Sequence, residues 1–355
     1  MAGNSAASKI ILAIDAMGGD HAPKEIIQGC AEFAKLNPDI FLILHGDENI
    51  IGNIVKSYPS IANCEIVHAS EMIAMDAKPS QAMRRKDTSM WGAIASVKAG
   101  TANAAVSAGN TGALMAVANL QLRTLKGIHR PAIAAPWPNP KGRSVVLDIG
   151  ANVDSDPDQL VDFAILGEAY AKALFGKERP SIGLLNVGSE EVKGHEDIKE
   201  AMRLLREHGA SLGMEVYGFV EGTDLSLGTT DVVVTDGFTG NIALKSAEGA
   251  AKLFATFLKE SLTSSLITKI GALIAKDGFK KLKEKMDPRS FNGGVFLGLN
   301  GLVVKSHGST DALGFASALS VAAKLAASDY QSTIEENVSR LTILREQQTK
   351  IMASA

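Results

Sequence analysis

A chain of 355 residues with 46% hydrophobic and 21% charged residues is large enough to close its own core, as one big α/β unit or two smaller ones. A net charge of −3 and a pI near 6.2 argue against a nucleic-acid binder, which normally carries a basic excess. Cys30 and Cys64 form no CxxC pair and the seven histidines fall in no ligand spacing, so neither a disulfide framework nor a metal site is signalled.

The N-terminal stretch has no basic segment followed by a long apolar run, and Asp15 cuts the run that begins at Ile10, so no signal peptide is expected. No uncharged apolar run approaches the ~18 residues of a spanning helix, which predicts a cytoplasmic protein. Ile10–Ile14 reads as a strand closed by Asp15-Ala16-Met17-Gly18-Gly19-Asp20-His21, and Pro23 and Lys24 open a helix running to Leu36. Gly18 and Gly19 can form a backbone nest, with Asp15 and His21 at the carboxyl end of the strand, where α/β sheets place ligands. The plainer reading is a glycine turn with solvated acids. Phe41–Leu44 and Cys64–Val67 continue the βαβ rhythm, and one helical segment is predicted from Pro79 towards Lys98. It carries Arg84-Arg85-Lys86, ordinarily a solvated face, otherwise a landing patch for an acidic partner or a phosphate.

Ala104–Leu114 places Ser107, Gly109, Asn110, Thr111 and Gly112 in a turn between a small apolar strand and a helix to Leu122. Ile133–Pro136 and Val145–Leu147 are strands around a proline-rich turn, which predicts an edge or a hairpin. Asp148 to Asp154 repeats the acid, glycine and amide pattern before a helix near Pro157; capping outweighs a metal among Asp148, Asp154 and Asp156. After Ile182–Leu185 come Asn186 and then Lys193, a lysine in a glycine-flanked loop. After Val216–Val220, the run Val232–Thr235 meets Asp236-Gly237-Phe238-Thr239-Gly240-Asn241, read as a glycine loop before a helix from Ile242 to about Leu262 that carries Lys245. Loop amides and a helix N-terminus together favour an anion such as phosphate, although Asn, Thr and Ser also serve as ordinary caps. Neither this loop nor the Ser107 loop is a Walker A or GxGxxG sequence, so no nucleotide or other cofactor is expected. Leu302–Val304 leads into Lys305-Ser306-His307-Gly308-Ser309-Thr310, which adds His307 and Ser309 as candidates.

No repeat or linker divides the chain. The expectation is a single α/β/α catalytic domain over residues 9–330, with an inserted helical protrusion at 249–292, and a helical C-terminal tail at 331–355. Within the protrusion, Leu266, Ile267, Ile270, Leu273 and Ile274 share one helix face, and Phe279, Leu282 and Met286 continue an apolar spacing. Lys269, Lys276, Lys280, Lys281, Lys283, Lys285 and Arg289 outnumber Asp277, Glu284 and Asp287. Periodicity alone suggests a dimer seam; the flanking cations suit an anionic membrane surface.

In a mostly parallel sheet the loops after these strands are expected to open on one edge and converge. The resulting crevice lacks GxSxG and any Cys/His pairing at a known spacing. Phosphate attack on a thioester needs neither, because a thiol of pKa about 8.5 leaves readily; positioning and oxyanion stabilisation suffice. Lys193, Asn241, Lys245, Asp236 and His307 are the candidates for that work. Asp15, Gly18, Gly19, His21, Ser107, Gly109, Asn110, Thr111, Asn186, Thr239, Gly240 and Ser309 are the candidates for holding phosphate and substrate.

AIDAMGGD (13–20), RRK (84–86), SAGNTGALM (107–115), DIGANVD (148–154), LLNVGSEEVKG (184–194), VVVTDGFTGNIALK (232–245) and GLVVKSHGS (301–309) together resemble the PlsX-type phosphate acyltransferases of bacterial phospholipid synthesis. The likeness spans roughly residues 10–328, with Thr88 where a serine is more familiar. It implies a Rossmann-like α/β/α fold related to phosphotransacetylases and isopropylmalate dehydrogenases, and a homodimer. It also implies transfer of a fatty acyl group from acyl carrier protein to inorganic phosphate, the product feeding a membrane glycerol-3-phosphate acyltransferase. Arg84, Arg85 and Lys86 would then meet the acidic carrier protein, and Leu266, Ile270, Leu273 and Ile274 would touch the anionic membrane surface.

Overall fold

The computed structural model describes residues 9–286 and 292–354, except the side chains of 283–286 and 345–354. The first half runs β1 (Ile11–Asp15), α1 (Lys24–Leu36), β2 (Phe41–Gly46), α2 (Glu48–Val55), β3 (Glu65–His68), α3 (Pro79–Ala82), α4 (Ser89–Lys98), β4 (Ala104–Ser107) and α5 (Thr111–Leu122). The hairpin β5 (Ala132–Asn139) and β6 (Gly142–Leu147) follows, then α6 (Pro157–Phe175), β7 (Ser181–Leu185), α7 (Glu196–Gly209), β8 (Glu215–Val220), α8 (Gly222–Leu227) and β9 (Val232–Val234). The last part is α9 (Gly237–Thr263), α10 (Leu266–Ile274), α11 (Lys276–Met286), β10 (Gly294–Leu297), β11 (Leu302–Lys305), α12 (Ala312–Ala326) and α13 (Tyr330–Ser354).

Alternation along the strands builds three layers. Leu12, Ile14, Val106, Val145, Leu147, Val232 and Val234 enter the large core on the face covered by α1, α6, α7, α12 and α13. Ala13, Ala105, Phe296 and Val303 face a second core under α4 and α5, while Val146 and Val233 face a third that includes Leu225 of α8 and Ala243 of α9. A period of two, apolar on both faces, is what a buried sheet between helices requires. The expected α/β/α fold with a mostly parallel sheet is therefore present.

The order is β3-β2-β1-β4-β11-β10-β5-β6-β9-β7-β8. Three successive pairings, β11 with β10, β10 with β5 and β5 with β6, are antiparallel. The remaining pairings are parallel, so β1, β2, β3, β4 and β11 run one way and β6, β7, β8 and β9 the other. The expectation that all the strand-end loops open on one edge is thus corrected: they fall into two groups on opposite edges. The proline-rich hairpin lies inside the sheet and not at its edge. Pro136 and Pro138 are tolerated because β10 pairs with β5 only over Ala132–Ala134, leaving the prolines beyond it without a ladder partner on that side.

Other local readings also change. The segment 79–98 is two helices broken at 83–88; Thr88 caps the second through Trp91 N–H, so Arg84-Arg85-Lys86 stands in an exposed turn. The DGFTGN stretch is the first turn of α9, not a loop: Asp236 is its N-cap and accepts from Thr239 N at 2.8 Å. The tail starts as core, since Ile334, Val338 and Leu341 of α13 are buried and Asn337 donates to Glu168 at 2.9 Å. In the protrusion, α10 buries no residue. Asp287 and Arg289 lie outside the described residues, as do the side chains of Lys283, Glu284, Lys285 and Met286.

Candidate active site

Asp15, Ser107 and Lys305 are the last residues of β1, β4 and β11, and the parallel registers Asp15↔Ser107 and Lys305↔Ser107 set them side by side. Asp15 is buried; its carboxylate accepts from Ser107 Oγ and from Ser89 Oγ, each at 2.6 Å. Desolvation pushes the Asp15 pKa up, against the hydrogen bonds from the two serines and from the backbone of Met17 and Gly18. Ser107 Oγ also accepts from Gly109 N at 3.0 Å, so the serine braces its loop and does not present a free nucleophile. The Lys305 ammonium donates to the carbonyls of Ala108 and Ser306. Burial lowers its pKa to about 8, opposed by Asp15 and Asp20 and assisted by Lys245. Lys305 is not among the candidates named from the sequence, which shows it only as a charge ending an apolar strand; its register with Asp15 and Ser107 is supplied by the sheet.

The loops after these three strands close on one another. A Cβ on Gly18 would strike the Asp15 carboxylate and Gly109 N; Gly19 has φ of +111° and lies against Ala108 and Gly308, a backbone that glycine alone adopts freely. Asp20 N donates to Gly308 O at 2.9 Å. Asn110 caps α5 through Ala113 N at 2.8 Å and ties down Met75 O at 2.5 Å. Thr111 opens α5, and His21 lies in the turn between β1 and α1, both exposed. His307 N donates to Asn292 Oδ1 at 2.9 Å, and the His307 ring meets Ser309 Oγ at 3.0 Å. Burial lowers the His307 pKa; Glu248 raises it, and Lys305, Lys245 and Lys252 lower it. Those couplings bring the flank of α9 to the Lys305 loop. Lys245 itself pairs with Glu248 at 2.9 Å.

The other group of loops does different work. Asp148, at the end of β6, accepts from Ile133 N, Gly150 N, Ala151 N, Asn152 N and Asn152 Nδ2 at 2.7 to 3.1 Å. Asp156 caps α6 through Gln159. The first turn of α9 docks on the Asp148 loop: a Cβ on Gly240 would land on the Asp148 carbonyl oxygen, and Asn241 packs beside Gly150. Thr239 Oγ1 donates to Asp236 Oδ2 at 2.7 Å. Asp236, Thr239, Gly240 and Asn241 thus anchor α9, and Lys245, two turns on, reaches the Lys305 end. Lys193 is not brought there. It pairs with Glu190 at 2.7 Å in an exposed loop that follows β7, five interstrand spacings (about 24 Å) from β11 on the opposite edge. Asn186 fastens that loop, donating to Lys193 O at 3.0 Å and accepting from Val187 N at 2.9 Å. Of the Arg84-Arg85-Lys86 cluster, Arg85 bonds Glu71 at 2.8 Å.

Residues 10–333 match the family described as "Fatty acid synthesis protein". The chain belongs to this family, which is the PlsX family. The phosphate acyltransferase of Maricaulis maris is 51% identical over 342 residues, covering 95% of this chain and 97% of that protein. The phosphate acyltransferase of Azorhizobium caulinodans is 55% identical over 312 residues, covering 87% of each. Among solved structures, a phosphotransacetylase from Staphylococcus aureus superposes with a TM-score of 0.60 at 15% identity, covering 91% of this chain and 95% of that one. One from Streptococcus pyogenes has a TM-score of 0.60 at 17% identity, covering 90% and 94%. A 4-hydroxythreonine-4-phosphate dehydrogenase from Klebsiella pneumoniae follows at 0.52 and 15%, covering 90% and 100%. At these identities the structural likeness speaks to the fold alone.

Proposed function

We propose that this PlsX-family protein is an acyltransferase that moves a long-chain fatty acyl group from acyl carrier protein to inorganic phosphate, making acyl phosphate for phospholipid synthesis. The name phosphate acyltransferase borne by full-length relatives supports this, and the observation that carries it is the desolvated Lys305 ammonium where three glycine loops meet. In the reaction a phosphate oxygen attacks the thioester carbonyl, the C–S bond breaks, and the thiolate takes a proton. Lys305, with Lys245 and His307 nearby, holds phosphate and balances the charge that grows on the carbonyl oxygen. A pKa of about 8 also matches Lys305 to protonating a thiolate of pKa about 8.5. Purified protein incubated with phosphate and palmitoyl-carrier protein should form acyl phosphate. Since the solved neighbours include phosphotransacetylases, palmitoyl-coenzyme A is the second arm; a much higher kcat/KM for it would replace this reading with acyl-coenzyme A chemistry. No acyl phosphate from either donor would leave a non-catalytic carrier-binding scaffold.

Two surfaces give the enzyme its setting. Arg84, Arg85 and Lys86 in their exposed turn suit steering of an acidic carrier protein. Reversing all three to Glu should slow association and flatten its salt dependence, with single-turnover chemistry intact; an unchanged salt dependence returns the turn to solvent. On the protrusion, Leu266, Ile267, Leu273 and Ile274 are each at least 70% exposed, and Leu253, Phe254 and Phe257 are exposed lower down on α9. No helix among the described residues is long and apolar enough to cross a membrane. The division that fits is a homodimer seam along α9 and reversible binding of α10 to an anionic membrane, placing a cytoplasmic enzyme beside the glycerol-3-phosphate acyltransferase that consumes its product. Leu273→Glu with Ile274→Glu should abolish sedimentation with anionic vesicles and leave dimer mass and soluble activity unchanged. Dissociation to monomers would make α10 the seam instead.

A further inference from the structure

Beyond Ala134, β5 outruns its partner β10, and the gap is a cavity of about 490 Å³ between the hairpin, the end of α6 and the flank of α12. Among the described residues it presents Lys141, Arg143, Lys177 and Lys324 against one carboxylate, Asp231. That carboxylate is already held by Lys177 at 3.1 Å and by Ser181 N at 2.9 Å. A concentration of cations in a concave site of a chain whose net charge is −3 focuses potential on an anion. The cavity also adjoins the candidate active site. Asn292 lines it while donating to Ser306 Oγ at 2.8 Å and Thr310 Oγ1 at 2.9 Å and accepting from His307 N at 2.9 Å. Both lie on the edge where β11 ends and β6 begins.

We propose that this cavity receives the phosphate of the phosphopantetheine arm that carries the acyl thioester, a proposal that rests on the function given above and specifies how its donor is held. The registers set Lys305 level with Ala135 and Gly142 opposite Asn139, so the start of β6 lies three interstrand spacings across and four residues beyond the end of β11, about 19 Å away. The 13 or so bonds between the phosphorus and sulfur of the arm, extended like a peptide backbone, span about 15 Å. The cavity lies between those ends, so with the phosphate held inside it by the side chains of Lys141 and Lys324, the arm runs past Asn292 and brings the sulfur to the Lys305 loop that Asn292 touches. The same arm occurs in carrier protein and in coenzyme A, so the cavity serves whichever donor the enzyme uses.

The test compares wild type with a Lys141→Ala, Lys324→Ala double variant, both exposed positions outside the Lys305 cluster. Calorimetric titration with phosphopantetheine and with pantetheine should show wild type preferring the phosphorylated arm by about tenfold, and the double variant should lose that preference. In turnover, KM for palmitoyl-phosphopantetheine should rise about tenfold in the variant, with kcat and the KM for palmitoyl-pantetheine unchanged. Equal wild-type affinity for the two arms overturns the proposal, as does a variant that weakens both donors alike. Competition by inorganic phosphate alone that erases the preference at equal concentration also overturns it, leaving a general anion site. If wild type makes no acyl phosphate yet discriminates the arms, the arm site stands and the reaction assigned above falls.

Discussion

Lys305→Met is expected to lower kcat/KM for acyl phosphate formation by ~10²- to 10³-fold, the scale on which loss of one positioned oxyanion donor is felt. Methionine fills the same volume, so the packing of β11 against β4 survives, and because it removes a buried cation the Tm at neutral pH should not fall. The pH dependence separates an acting lysine from a packed one. Lys305 is cationic below about pH 8 and neutral above it, so wild-type kcat/KM should fall as pH rises through about 8. Stability should move the other way. Between about pH 8 and the ordinary lysine range the unfolded chain holds a proton that the folded chain has lost, so folding becomes more favourable as pH rises through that window. Lys305→Met should abolish both trends, and Lys305→Arg should keep activity above pH 8 at a reduced rate. An alkaline limb that persists in the methionine variant would assign the titration to another group.

Periodicity and capping made most of the elements legible. The continuous apolar runs Leu12-Ala13-Ile14 and Val232-Val233-Val234 mark strands buried on both faces. Asp156 before Pro157 announces α6 through a capping box, which the structure contains. What stayed hidden depended on pairings distant in sequence. Gly294–Leu297 carries no strand signal strong enough to stand alone in the sequence, yet its antiparallel insertion between β11 and β5 helps reverse half the sheet and so divides the strand-end loops. Gly237 and Gly240 resembled loop residues because glycine is a poor helix former; their reason is close approach to the Asp148 loop, which only the fold supplies. Asp15 and Ser107 are legible as strand-end polar groups, each following a short apolar run. Lys305 is not legible as a site residue from the sequence because its partners, Asp15 and the Ala108 carbonyl, lie some 290 and 200 residues away along the chain.

Asp148→Ala should cost the fold more than any change at the Lys305 cluster. Asp148 is fully buried, and its removal strips the acceptor from the amides of Ile133, Gly150, Ala151 and Asn152 and from the Asn152 side chain. Each buried donor left unsatisfied costs roughly 1 to 3 kcal/mol, so even with water entering the gap the loss should reach about 4 kcal/mol. For a chain of this size that lowers Tm by about 10 °C, on the scale of 2 to 4 °C per kcal/mol. Asp148→Asn keeps one acceptor oxygen but turns an amide N–H towards other N–H groups, so its Tm should fall between the two. The functional consequence follows from α9. Gly237 and Gly240 bring its first turn against residues 148–152, so loosening that loop shifts the helix that carries Lys245 towards Lys305 and His307. At a temperature where Asp148→Asn is still folded, kcat should drop with little change in the KM for the acyl donor, because the arm cavity is built from the far ends of β5 and β6. A wild-type Tm for Asp148→Ala would show that the amides find other acceptors and that the anchor of α9 lies elsewhere.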